Sequence, residues 1–247
     1  MTGNAYRWIN EFISTRIERV VEVGSRDALD ALSLANHFGA SVVAFECDPR
    51  QFDVCCANLS LAGTSGVQMR QEALSDVNDE IEFWQVDLTA YDNPGVGSMF
   101  KINFDNRTMD DADWHHEPVQ RPISVAARRF DHLGISAPDL LVMDVEGAEL
   151  RVLRGFGDLI DAIRYIVLET APVSNHIGGS SFREVREYLE SRGFRYVASS
   201  CSGKGLLRLR LDLLRRTAQC MVRGRTLKPS TKWQGFFDVL FSNRSLN

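Results

Sequence analysis

Nine residues near the start restrict the fold more than any other stretch: Val20-Val21-Glu22-Val23-Gly24-Ser25-Arg26-Asp27-Ala28. Valines around one acid, then a glycine, read as a short buried parallel strand ending in a tight turn. Glycine there admits a backbone conformation that other residues resist, and it lets a ligand come close. A helical run begins near Ala28. A second strand, Ser41-Val42-Val43-Ala44-Phe45, ends in Glu46, 22 positions after Gly24. Strand, glycine turn, helix, strand and acid form the nucleoside-binding half of an open α/β sheet, with the acid set for ribose hydroxyls.

The rest of the chain extends that pattern. Tyr6, Ile9, Ile13 and Ile17 repeat at helical spacing, which predicts a helix over 5–18 that leads into the first strand and covers the ligand. Ala28, Leu29, Leu32, Leu34, Ala35 and Phe38 predict the next helix, with Gly39 as its C-cap. Asp48-Pro49 opens another, with Asp as N-cap and Pro at the first helical position. Gly66–Met69 reads as a third strand and Ile81–Val86 as a half-buried one. Residues 87–118, with Pro94, Gly95, Gly97, several aspartates and Trp114-His115-His116, form an irregular insertion of the kind that is usually functional or mobile. Val119–Val125 reads as a short edge strand, because Pro122 cannot donate to a ladder.

Regularity returns at Asp139–Asp144, a buried strand ending in an acid. Val145-Glu146-Gly147-Ala148-Glu149 then turns into a helix, where Glu149 suits the N-terminal dipole. Ile163–Leu168 is another buried strand ending in an acid, Glu169. Residues 181–192 read as an amphipathic helix. Gly193–Val197 and Phe236–Phe241 close the chain as a hairpin at the sheet edge. Between them, residues 203–232 carry nine Lys and Arg against Asp212 alone, as an insertion before the last strand. The leucines there fit a strand and a helix equally.

With 247 residues, 44% of them hydrophobic, the chain suits one domain over 1–247. A net charge of −5 gives no global pull toward nucleic acid. No apolar run reaches the roughly 20 residues that span a bilayer. The N-terminus lacks a signal-peptide pattern, so a cytoplasmic location is expected. The five cysteines (Cys47, Cys55, Cys56, Cys201, Cys220) include no C-x-x-C pair, so reduced thiols and no metal are expected.

The dinucleotide fingerprint needs glycine two and five places after the first, and here Arg26 and Leu29 stand there. Those side chains keep a pyrophosphate away from the turn. S-Adenosylmethionine, a nucleoside ligand without phosphates, is less demanding. Its ribose wants an acid, and its amino-acid end wants backbone donors and acceptors near Gly24.

Glu22-Val23-Gly24-Ser25-Arg26-Asp27, Phe45-Glu46-Cys47-Asp48-Pro49, Ala73-Leu74-Ser75-Asp76, Gly97-Ser98-Met99-Phe100, Met143-Asp144-Val145-Glu146-Gly147-Ala148-Glu149 with Gly155, and Val167-Leu168-Glu169 resemble the FkbM family of S-adenosylmethionine-dependent methyltransferases. Asp238-Val239-Leu240-Phe241 fits as well. Ala28 departs from the family pattern, where a second glycine is common. The resemblance implies a class I methyltransferase, Rossmann-like α/β fold: a seven-stranded, mostly parallel sheet with its last strand antiparallel and helices on both faces. It implies methyl transfer to a hydroxyl of a sugar or secondary metabolite in natural product biosynthesis. Glu22, Gly24, Ser25, Arg26 and Asp27 belong to the implied cofactor turn, Glu46 and Cys47 to the ribose, and Glu72 and Ala73 to the adenine. Asp144 and Glu146 face the methyl group and acceptor.

An alcohol acceptor needs its proton removed as it attacks. Asp144, Glu146, His115, His116 and His176 are the candidate bases. The implied partner is a small-molecule acceptor, and a homo-oligomer is compatible with the sequence. The basic segment is either a solvated face or a site for an anionic acceptor, a carrier protein or a membrane surface. A nicotinamide-dependent oxidoreductase and a non-catalytic partner-binding module are the alternatives.

Overall fold

The structure, a computed structural model, describes residues 6–89, 94–103, 119–200, 203, 204, 211 and 236–246. The main-sheet strands are β1 (Arg19–Val23), β2 (Ser41–Phe45), β3 (Val67–Arg70), β7 (Leu140–Met143), β8 (Tyr165–Thr170), β9 (Phe194–Ser199), β10 (Gly203–Lys204) and β11 (Phe237–Asn243). A second, three-stranded sheet is made of β4 (Ala73–Leu74), β5 (Asp79–Val86) and β6 (Gln120–Arg128). The helices are α1 (Leu29–Phe38), α2 (Pro49–Ala62), α3 (Glu149–Gly155) and α4 (Phe182–Ser191).

The main sheet runs β10-β9-β11-β8-β7-β1-β2-β3. From β3 to β8 neighbouring strands are parallel, and β11 runs antiparallel between β8 and β9. The expected seven strands are present, and the two-residue β10 adds an eighth at the edge of β9. The closing β9–β11 pair lies at one end of the sheet as expected, with the short β10 beyond it, and β11 takes the inner place. β11 is buried along nearly its whole length and pairs on both sides, so its apolar residues required an interior position.

Period-two alternation builds the core. Val21, Leu141, Met143, Ile166 and Leu168 face one way, into a cluster with Val152, Leu153, Val185 and Leu189 of α3 and α4. Val20, Leu140, Val142, Tyr165 and Val167 face the other way, against Ala31 and Leu34 of α1, Cys55 of α2, and Ile9. Each fully buried aliphatic side chain contributes roughly 1.5–3 kcal/mol, so these two layers hold the sheet between its helices.

The predicted N-terminal helix over 5–18 is replaced by a short 3₁₀ turn, Arg7–Glu11. Ser14 and Thr15 favour local hydrogen bonds over helix continuation. The end of the segment must also be extended, because Asp139 Oδ2 accepts from both Glu18 N (2.9 Å) and Arg19 N (3.0 Å). Ile9 and Ile17 are still buried, so the segment packs onto the sheet without being a long helix.

The strands predicted at 81–86 and 119–125 pair with each other, antiparallel, and not with the main sheet. Pro122 sits opposite Trp84, whose N–H and C=O both bond to Ser98 on the far side, so no donor is needed from Pro122. Of the 87–118 insertion, the described parts include a turn at Pro94–Val96 and an Ile102–His176 bridge. Trp114, His115 and His116 lie outside the described residues, as does the basic segment apart from Gly203, Lys204 and Leu211.

Asp48 ties helix to small sheet. Its carboxylate caps α2 through Arg50 N (2.9 Å), pairs with the Arg50 guanidinium (2.8 Å) and accepts from Gln85 Nε2 of β5 (2.7 Å). Asp48→Ala is expected to lower unfolding free energy by about 2–3 kcal/mol. Asp48→Asn should recover part of that loss, as measured by urea denaturation.

Candidate functional site

A cavity of about 270 Å³ opens at the carboxyl ends of β1, β2, β7 and β8. This is the crevice where the strand order reverses, between β1 and β7. Register explains why acids gather there. Glu22 pairs with Ala44 and with Val142, while Val142 pairs with Val167. Two residues further on, Glu46, Asp144 and Glu169 therefore fall on the same sheet face as Glu22. All four line the cavity. Asp238, the cross-strand partner of Glu169, stands beside them.

The turn after β1 is held at unusually close quarters. Gly24 has φ +86°, and a Cβ there would lie 1.8 Å from the Asp144 carbonyl oxygen. The ends of β1 and β7 can touch only because that side chain is missing. Among the described residues, Arg26, Ala28 and Glu146 are the non-glycine residues with positive φ, at 52°, 60° and 51°. Strained backbone of this kind persists where surrounding structure over-determines it, and it concentrates at functional sites. Ala28 takes the left-handed conformation that a glycine would adopt freely.

Every backbone N–H of this turn is used internally. Gly24 and Ser25 donate to Phe45 O, Asp27 and Ala28 to Ser25 O, and Arg26 to Glu46 Oε2 at 2.9 Å. Leu29 N donates to Asp27 Oδ1 at 3.1 Å. Asp27 therefore starts α1, and it is absent from the cavity lining. Glu46 also accepts from Asp48 N (2.8 Å). A carboxylate has about four acceptor sites, so Glu46 keeps capacity toward the cavity.

Burial dominates the acid chemistry. Glu22 is 3% exposed and accepts from the Ser25 hydroxyl, and its pKa is pushed from 4.5 to about 8. Asp144 and Glu169 share a hydrogen bond, and burial raises both, as does the charge of Asp238. Glu169 is raised further, so the shared proton rests on it and Asp144 carries the charge. Asp144 is exposed and lines the open cavity, while Glu146 and Glu169 beside it are partly buried. Glu146 is raised by burial and then by Asp144. Glu149 stands in the first turn of α3, as its expected place at the helix N-terminus requires. It is also buried, accepting from Gly147 N (2.9 Å) and the Ser180 hydroxyl (2.6 Å), and so locks the loop that presents Asp144 and Glu146.

Asp144, Glu146 and Glu169 bring one carboxylate oxygen each within 4.8 Å of one another. These are the described residues whose ligand atoms could meet a single hard cation.

Most of the expected site residues meet in one place. Glu22, Gly24, Ser25 and Arg26 line the cavity, with Glu46, Cys47, Glu72 and Ala73 on the β2–β3 side of them and Asp144 and Glu146 on the β7 side. Asp27 does not, and His115 and His116 are outside the described residues. His176 is buried in the β8–α4 loop; it lies behind Glu146, away from the main cavity lining. Tyr6, Asp30, Phe83, Met99 and Glu169 also line the cavity and were not assigned to it from sequence. Glu169 had a signal, an acid ending a buried strand, whereas Phe83 and Met99 come from the second sheet and its flank.

An open α/β sheet with a glycine turn, an acid after the second strand and carboxylates at the switch point defines a nucleoside-cofactor enzyme. The chain belongs to the methyltransferase FkbM domain family, whose model matches residues 22–196. Methyltransferase 1 of Beauveria bassiana (strain ARSEF 2860) is 29% identical over 71% of this chain and 71% of its own length. The 2-O-methyltransferase NoeI of Sinorhizobium fredii (strain NBRC 101917 / NGR234) is 28% identical over 72% of this chain and 73% of its own. A solved FkbM methyltransferase from Methylobacillus flagellatus KT aligns with 65% of this chain at 14% identity and a TM-score of 0.43, and this chain spans 35% of it. Family membership decides for a methyltransferase over the nicotinamide oxidoreductase and the partner-binding module. Among the described residues no helix is long and apolar enough to cross a membrane.

Glu22 gives a test of the buried acids. Its folded pKa, about 8, lies above the ordinary 4.5. Stability is therefore fully present below pH 4.5 and falls as pH rises toward 8. Glu22→Gln should leave thermal stability unchanged near pH 4.5 and raise it by about 3–5 kcal/mol above pH 8, measured by denaturation across that range. Gly24→Ala should cost about 2–4 kcal/mol at any pH, because the Asp144 carbonyl must move.

Proposed function

We propose that this protein transfers a methyl group from S-adenosylmethionine to a hydroxyl of a neutral small molecule, of the sugar or secondary-metabolite kind. The observation that carries the reading is the convergence of Asp144, Glu146 and Glu169 at the floor of the cavity. A hydroxyl acceptor needs a base beside it, and Asp144 is the carboxylate that stays charged when its neighbours hold protons.

The cavity fits the donor from one end to the other. Phe83 and Met99, with Ala73 beside them, give an apolar wall suited to adenine. Glu46 is placed for the ribose hydroxyls. The amino-acid and sulfonium end then falls toward Gly24 and Asp144. S-Adenosylmethionine supplies an activated methyl group that needs alignment more than covalent assistance. Asp144 holds the acceptor hydroxyl and takes its proton. Glu169 steadies Asp144 through their shared hydrogen bond, and Tyr6 covers the cavity and limits water. The name of the Sinorhizobium relative, a 2-O-methyltransferase, agrees with oxygen as the methylated atom.

The local charge also restricts the acceptor. Three acids packed together repel an anion at the reacting end. Any anionic group of an acceptor or carrier must lie away from that end.

Calorimetry tests the reading directly. Wild type should bind S-adenosylmethionine and S-adenosylhomocysteine at micromolar levels, and Glu46→Ala should lose at least about tenfold in affinity for both. Asp144→Asn should keep that binding and lose methyl transfer by a factor of about 10²–10⁴. Wild-type activity should rise from acid toward neutral pH as Asp144 ionises. Absence of cofactor binding in wild type would sink the proposal.

A further inference from the structure

We propose that the Arg26 guanidinium anchors the carboxylate of the cofactor's amino-acid end. The assignment rests on the S-adenosylmethionine reading above and names a role within it. The sequence suggested that backbone donors near Gly24 would hold this end. The structure leaves none there, because each N–H from Gly24 through Leu29 already has an internal acceptor.

The rest of the cavity makes the need sharper. Glu22, Asp30, Asp144, Glu146 and Glu169 surround the end nearest the turn, and Arg26 is the single cation among the described lining residues. A ligand carboxylate entering that field needs a positive partner, and a guanidinium meets a carboxylate with two parallel donors. The Arg26 side chain is 52% exposed and touches Asp27 Oδ2 at 3.3 Å, a pairing loose enough to be exchanged for a ligand. Burial raises Asp30 and Asp144, and the Arg26 charge partly offsets the rise in both, so the guanidinium acts on the same end of the cavity as these acids.

The test separates this role from support of the turn. At φ +52°, asparagine suits position 26 better than arginine does, so Arg26→Asn removes the cation and relaxes the backbone. Calorimetry would compare S-adenosylhomocysteine with its decarboxylated analogue, which keeps the amine and lacks only the carboxylate. Wild type should prefer S-adenosylhomocysteine by about tenfold or more. In Arg26→Asn the preference should disappear through weaker S-adenosylhomocysteine binding, with the analogue bound as well as before. Arg26→Lys should restore part of the preference. A preference unchanged in Arg26→Asn would overturn the proposal. So would an equal loss for both ligands, which would make Arg26 a turn residue only. If wild type binds neither ligand, the cofactor reading itself fails, an outcome distinct from both.

Discussion

The contact between Gly24 and the Asp144 carbonyl is the constraint on which the site depends. Two parallel strands end side by side, and the missing Cβ at Gly24 lets their backbones meet. Asp144 N donates to Val23 O at 2.9 Å, so the ladder runs on to the last residue of the site. That fixes where Asp144 stands relative to Glu22. The β7–β8 register then fixes Glu169, and the β8–β11 register fixes Asp238. Four positions are set by backbone hydrogen bonds before any side chain interacts with another.

Placing acids this way sets their chemistry. Carboxylates taken from water and set near one another cannot all ionise, so protons are retained and the groups divide into holders and acceptors. Asp144 remains the charged member because Glu169 donates to it and Arg26 lies within range. The same backbone scheme leaves the turn without a free amide, so charge recognition at this end has to come from side chains. Arg26 is the side chain able to supply it.

The sequence disclosed the centre of the molecule well. Val20–Gly24, Ser41–Glu46 and Leu140–Asp144 are local patterns, and strand, turn and acid can each be read from neighbours in the chain. Asp48 and Pro49 announced α2 as cleanly, through a cap that is itself local. What stayed hidden depends on distant partners. The position of β11 inside the sheet follows from pairing with β8 and β9, which no local pattern states. The segment over 5–18 had helical spacing, but its path is decided by Asp139, more than a hundred residues away. Glu149 was legible as a first-turn acid of α3, but its bond from Ser180 comes from another element. Phe83 and Met99 reach the cavity through a second sheet that alternation alone could not separate from the first.

The strain and the charge burden fall in the same place. Arg26, Ala28 and Glu146 hold positive φ, and the acids Glu22, which is buried, and Asp144, Glu146 and Glu169, which line the cavity, have raised pKa values, all at the carboxyl end of the sheet. The middle of the sheet carries none of this; Leu141, Ile166, Leu168 and Val239 are fully buried there. A chain selected for stability alone would have apolar residues at Glu22 and Glu169, since the two packed layers already hold the fold. Retaining the acids lowers stability as pH rises, and the apolar layers offset that cost. The arrangement makes sense if the acids serve a cationic donor and a hydroxyl acceptor, both of which favour a carboxylate fixed in place before the ligands arrive.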